Sequence, residues 1–410
     1  MMRKNVWSKN FTLITIGTII SAIAGQAISL PLSLIVFDKT QSTLLSAILF
    51  VVGIIPNVIL PILIAPIIDR TNKKRIIVSL DYVIGIFYLG VAYMVKYTGF
   101  NYNVFLGISL ITGIIGSIYQ LAYQSWFPDL IPIGYEQQGY AVSSSIYPTV
   151  MIVMTPIATY LYKAFSIEFL FVLIGILTII AASFELCITN INKEETNSKF
   201  NIKDYYEELR GGFRFLKNER GIVNIYTYMS ITNGVGNGLY LMIQAYFQTT
   251  SYLTVTMLAF LKSMETLGRI IGGIFQYRIK VPPKNRYGIT KFVYIFYENM
   301  DLILLFLPYQ LMLVNRFLCG ALGMTSATLR ETSVQSYLPT NMRAKVNAVF
   351  NVFMSLFIII FQIISGYLGD LFGYRKVAVV LTVISLISIV IFIIIPDKAN
   401  RKVYEAVRAE

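Results

Sequence analysis

Histidine is absent from the 410 residues, cysteine occurs twice, and charged residues make up only 13%. Without imidazole, no side chain changes charge near neutral pH at its ordinary value, so proton chemistry falls to carboxylates and the commonest metal ligand is missing. Cys187 and Cys319 lie far apart within apolar stretches, which leaves neither a disulfide framework nor a thiolate metal site, and packing is their expected role. There is no phosphate-binding glycine loop and no nucleophile paired with a base. The chain is therefore expected to be no enzyme, to hold no metal and to need no cofactor.

What fills the chain is apolar surface. Hydrophobic residues reach 56%, and mean hydropathy is +0.66, whereas a soluble domain carries about 25% charged residues. Runs long enough to cross a hydrocarbon core of about 30 Å recur throughout, and they are continuous rather than alternating, which indicates helices and not a barrel. Twelve spans are read at 11–37, 43–68, 76–95, 103–126, 138–162, 166–190, 222–247, 253–277, 288–307, 310–329, 346–369 and 374–396. The first follows a basic segment and has no small-residue cleavage site, so it reads as a retained helix.

Lysine and arginine are held on the cytoplasmic side of a membrane. Of the 34 basic residues, Lys39, Lys96, Lys163, Arg375 and Lys376 fall on the outer side, Lys262, Arg269 and Arg316 lie within spans, and all others share one side. Both termini are thus expected in the cytoplasm of a multi-pass cell-membrane protein. The net charge of +13 follows from topology, and cations scattered over hairpins give no nucleic-acid surface.

A long polar stretch, 191–221, divides the chain into an N-terminal bundle of six helices (1–190) and a C-terminal one (222–410). Within it Ile202, Tyr206, Leu209, Phe213 and Leu216 recur at three- and four-residue steps, the stripe of an amphipathic helix expected along the cytoplasmic membrane surface. The halves are weakly repeated: Gln124-Ser125-Trp126-Phe127-Pro128 matches Gln335-Ser336-Tyr337-Leu338-Pro339, each expected to end a span on its proline. The fold class is an all-α membrane protein of twelve helices in two pseudo-symmetric bundles of six, the architecture of the major facilitator fold.

Between the second and third spans runs Asp69-Arg70-Thr71-Asn72-Lys73-Lys74-Arg75, with Asp81 twelve residues after Asp69. With Pro128 and Pro132, Thr155-Pro156, and Gly212, Leu216 and Gly221, this pattern resembles the macrolide-efflux type exporters of the major facilitator superfamily, grouped with the enterobactin-exporter type carriers. The chain departs from the pattern at Ala65, where a glycine is expected, and at Thr112, where such carriers often have arginine. The resemblance implies export of a small molecule. Asp69, Arg70, Lys73, Lys74, Arg75 and Asp81 would form a cytoplasmic latch through charge-assisted bonds; the alternative is plain positive-inside anchoring. A degenerate copy at Gln276–Lys284 has lost its acid, and Asp370 with Arg375 reads as a turn with a local ion pair.

Ionisable residues within spans cost several kcal/mol, roughly +2.5 to +3.5 on insertion scales, and so mark cavities or partners. Lys262, Glu265 and Arg269 share one helix face. Glu298 and Asp301, three apart, join Glu265 as proton-coupling candidates, while Glu185 is expected at the interface. A shift of 211 residues brings Gly25 and Gln26 onto Gly236 and Asn237. With Asn233, Gln120, Tyr123, Gln124, Lys262 and Arg269, the amides Gln26 and Asn237 form the expected substrate set. The function read from the chain is proton-driven efflux of an amphiphilic small molecule by a monomer, with protons and membrane lipids as further partners. The alternatives are export of a siderophore or other metabolite and, in a different class, a lipid translocase using Lys262 and Arg269.

Overall fold

The computed structural model describes residues 6–69, 71–189, 202–279 and 281–406. The regular elements among them are all helical, as long apolar runs must be where lipid leaves backbone groups no partner but each other. The first six are α1 (Lys9–Thr40), α2 (Thr43–Asp69), α3 (Lys73–Thr98), α4 (Tyr102–Leu130), α5 (Glu136–Ala164) and α6 (Ile167–Leu186). A shorter helix, α7 (Ile202–Leu216), precedes α8 (Arg220–Thr249), α9 (Val255–Arg278), α10 (Pro283–Ile303), α11 (Tyr309–Tyr337), α12 (Thr340–Phe372), α13 (Tyr374–Ile389) and α14 (Asp397–Tyr404). Local chemistry sets several starts. Asn72, Asn101, Ser166 and Thr254 accept from free backbone N–H groups at the heads of α3, α4, α6 and α9.

Among the described residues eight helices, α1 to α6 with α12 and α13, are long and apolar enough to cross a membrane. The helices α8 to α11 are of similar length, and α9 to α11 carry Lys262, Glu265, Arg269, Glu298, Asp301 and Arg316. These twelve correspond in order to the twelve apolar runs. Boundaries differ from the sequence reading by several residues at many ends, most tellingly in three helices. Helix α4 continues through Pro128 to Leu130, since a proline in a final turn forfeits little of a ladder that is ending anyway. Helix α11 runs on to Tyr337 and takes in Arg330 and Glu331. Helix α10 starts earlier, with Pro283 in its first turn, and passes into a 3-10 turn at Leu304–Phe306.

The chain forms two compact units, Met1–Lys39 with Leu49–Ile202, and Thr40–Ile48 with Lys203–Glu410. In the first, α3 packs on α6 and α4. Its approach to α6 is set by glycines: a Cβ on Gly85 would lie 3.0 Å from Gly175 O, and one on Gly175 would lie 2.8 Å from Gly85 O.

In the second unit α8 lies against α12 and α13, and α9 against α11. A Cβ on Gly320 would collide with Glu265 O, one on Gly268 with Phe317 O and one on Gly272 with Ala321 O, so the α9–α11 seam is backbone on backbone. The α2 head belongs to this unit. Asp370 accepts from Ser42 Oγ and Thr43 N, both at 2.6 Å, and from Leu44 N at 3.2 Å. This corrects the expected Asp370–Arg375 turn: the carboxylate caps a helix, and the Arg375 guanidinium lies over the Tyr246 and Phe306 rings.

A helix forms at α7, where the amphipathic stripe was expected. Its described end is docked on protein, with Gly212 against Lys345 O and Val349, Phe213 near Phe353, and Leu216 buried beside Ile222 and Val346. After α13 the chain passes through a π-helical turn, Val390–Ile394, and α14 folds back beneath it. Asn400 donates to Phe392 O at 2.7 Å and Ile393 O at 3.2 Å, and Tyr287 OH donates to Ile393 O. Tyr404 and Val403 are fully buried.

Candidate functional site

A buried cluster of acidic residues stands in each unit. In the first, Asp81 of α3 and Glu185 of α6 are 5% and 0% exposed and stand beside each other. Tyr119 OH of α4 donates to Glu185 Oε1 at 3.1 Å, and Ser21 Oγ of α1 reaches Asp81 Oδ2 at 3.5 Å. Gly17 of α1 makes the space, since a Cβ there would lie 2.9 Å from Glu185 Cγ. Tyr123 stacks between Tyr119 and Phe127 and accepts a hydrogen bond from Thr18.

Asp81 was expected in a loop-side latch. It lies instead inside the bundle, because its position two turns into α3 turns it toward α6 rather than back to the hairpin. Glu185 was expected at an interface and is wholly enclosed, in the space left by Gly17. Of the other latch residues, Arg70 and the Asp69 side chain lie outside the described residues. Lys73 and Arg75 stand in the first turn of α3, and Lys74 Nζ donates to Ile188 O at 2.6 Å. Thr112 bonds Ser109 O within α4.

In the second unit, Arg316 of α11 is the hub. Its guanidinium pairs with Asp301 of α10, takes Asn315 Oδ1 at 2.9 Å from Nη2, and lies 3.9 Å from Glu265 Oε2 of α9. Glu265 is bound more closely by Arg269, at 2.9 Å. Asn315 is itself fixed by donating to Met300 O at 2.8 Å. Glu298 is buried one turn before Asp301 and faces Ser385 of α13. Cys319 lies 3.5 Å from Arg316 Nη2.

The expected Lys262–Glu265–Arg269 ladder is incomplete. Lys262 turns away to the Tyr240 ring, 4.8 Å from its centroid, and Arg316 supplies the second cation instead. Glu298 and Asp301, by contrast, lie within the protein, on the α11 and α13 sides of α10. The amides are quieter than expected: Asn233 and Asn237 donate to Met229 O and Asn233 O of their own helix. Gln26 is half-buried, and Gln120 and Gln124 are exposed. The paired glycines Gly25 and Gly236 leave their helices unbroken, and a Cβ at either would meet nothing within 4 Å.

Sequence reasoning missed Arg316, Asn315 and Tyr119. The signal for Arg316 was present, as a cation within an apolar run; its partner Asp301 lies fifteen residues away on another helix, which no periodicity reveals.

The family model for the Major Facilitator Superfamily matches residues 5–297 and 301–409. The chain belongs to the major facilitator superfamily. This facilitator is 22% identical over 291 residues to Macrolide efflux protein A of Streptococcus pyogenes, across 68% of the chain and 70% of that relative. Among solved structures it resembles the nucleoside transporter NupG with a TM-score of 0.67 and 14% identity, over 93% of this chain and 98% of that one. It also resembles a bacterial homologue of the human lysosomal transporter Spinster, with a TM-score of 0.64 and 13% identity over 96% of both chains. At these identities the structural likenesses show the fold. It is a multi-pass membrane transporter with a small-molecule substrate.

Proposed function

We propose that this facilitator is a secondary active exporter of an amphiphilic small molecule, driven by the proton gradient. The observation that carries the reading is Glu265, partly exposed between two arginines in a chain without histidine. Ionised, Glu265 holds Arg269 at 2.9 Å and contributes to Arg316 at 3.9 Å. Protonated, it releases Arg269, while Arg316 keeps Asp301. One proton thus changes the charge and the partner of an exposed cation, which is what coupling a gradient to a conformational equilibrium requires. Similarity to a macrolide efflux protein supports export over uptake.

Substrate contact is assigned to Gln26, Gln120, Tyr123, Gln124, Asn233, Asn237, Lys262 and Arg269. Glu298 and Asp301 remain coupling groups beside Glu265. The Asp69 to Arg75 hairpin faces the cytoplasm, as the distribution of basic residues argues. The test is efflux of a panel of amphiphiles into inverted vesicles with and without an uncoupler, repeated with Glu265→Gln. Uncoupler-sensitive transport that disappears in the variant is expected. Transport of every compound that ignores the uncoupler would defeat proton coupling, and unchanged coupled transport in Glu265→Gln would remove that residue from it.

A further inference from the structure

The pair in the first unit is chemically unfinished. Glu185 Oε1 receives Tyr119 OH, but its Oε2 is buried with no hydrogen-bond partner. Asp81, beside it, has Ser21 as a donor only at the long distance of 3.5 Å. A buried acceptor without a donor costs about 1–3 kcal/mol, and two adjoining carboxylates add their mutual repulsion in a low dielectric.

Among the described residues no basic side chain pairs with them. The first six apolar spans contain no lysine or arginine. The groups facing the pair are Tyr119 and Tyr123 of α4 and Tyr147 of α5, with Ser21 of α1. Lys74, in the first turn of α3, gives its ammonium to Ile188 O. Among the described residues no third carboxylate joins the pair to hold a metal ion, and the tight fit of Glu185 over Gly17 leaves little room for one. A single proton suffices. Shared between Asp81 and Glu185 Oε2, it gives Oε2 the hydrogen-bond partner it lacks and leaves the pair with one charge.

We infer that Asp81 and Glu185 together bind one exchangeable proton between α3 and α6, a protonation site separate from Glu265. Its binding stands alone; its use in transport rests on the reading of proton-driven export. Binding or releasing that proton makes or breaks one polar contact between α3 and α6, beside the close approach at Gly85 and Gly175.

Infrared difference spectroscopy of the purified full chain at neutral pH tests it, by counting protonated carboxyl groups through their carbonyl stretch and its shift in heavy water. Asp81→Asn/Glu185→Gln is expected to lose one protonated carboxyl relative to the parent, and Glu265→Gln to leave that band in place. Tyr119→Phe keeps both carboxyls and shifts the band, which serves if the double variant does not fold. A loss of none or of two, an unmoved band in Tyr119→Phe, or displacement of the band by sodium chloride would overturn the assignment. Vesicle efflux separates the two readings. A band present with uncoupler-insensitive transport leaves the site and removes proton-driven export; coupled transport retained in the double variant removes this proton from the coupling.

Discussion

Glu185 Cγ occupies the place that a side chain on Gly17 would take, 2.9 Å from where its Cβ would stand. The glycine therefore sets the position of the buried acid. Gly17→Ala overpacks a closed site and is expected to cost about 1–3 kcal/mol, read as a lowered thermal midpoint in detergent. Gly25→Ala, on the same helix but with nothing within 4 Å, is expected to leave the midpoint unchanged or raise it slightly. Equal effects from the two would show that the space around Glu185 does not depend on Gly17.

Arg316 and Asp301 form a buried pair, 5% and 7% exposed. Removing one partner leaves an uncompensated charge and costs about 3–5 kcal/mol. Arg316→Met and Asp301→Leu are each expected to lose that much. The double variant should lose clearly less than the sum, because no orphaned charge remains. Additive losses in such a cycle would mean that the two side chains do not act as a pair.

Asn400 closes two carbonyls of the π-helical turn and accepts from Asn224 Nδ2 at 3.3 Å. Asn400→Ala leaves buried acceptors without this donor, at about 1–3 kcal/mol, while Asn400→Asp, lacking the amide, should fare no better. Hydrogen exchange localised to residues 390–404 is the readout, and protection equal to the parent there would contradict the role.

Asp397 lies at the head of α14, outside the apolar spans. Burial pushes its carboxyl up, but bonds and charge from Lys291 and Arg401 outweigh this and hold it below the ordinary value of 3.8. A carboxyl lowered in the folded state favours folding once ionised. Its contribution is complete above the unfolded value near 3.8 and is lost as pH falls through the lowered folded value. The thermal midpoint should therefore decline in that acid range, and Asp397→Asn should show a shallower decline with a lower plateau at neutral pH. A variant with the parent's acid limb would assign that limb to other groups.

Helix number, order and the two-bundle class were legible because lipid imposes one solution on a long apolar run. The sites were legible only along single helices. Glu265 and Arg269 were found as a pair because they are four residues apart on one face. Asp81 with Glu185, and Asp301 with Arg316, were not, since each pair spans different helices and is brought together by packing. The clue to that packing was glycine, at Gly85, Gly175, Gly268, Gly272 and Gly320, where close approach of backbones fixes which side chains meet. Gly25 and Gly236, matched by the repeat, open onto space instead. Proline misled in a related way: Pro128 lies within the last turn of α4 and does not stop it.

The bare-backbone seam between α9 and α11 has a mechanical consequence. Where Gly268, Gly272 and Gly320 meet the facing backbone no side chain separates the helices, and the two behave as one two-ply beam. Glu265 and Arg316 are mounted on opposite plies of that beam, so their separation stays nearly constant while the beam as a whole moves. Change at this cluster then lies in which group holds a charge rather than in the plies parting.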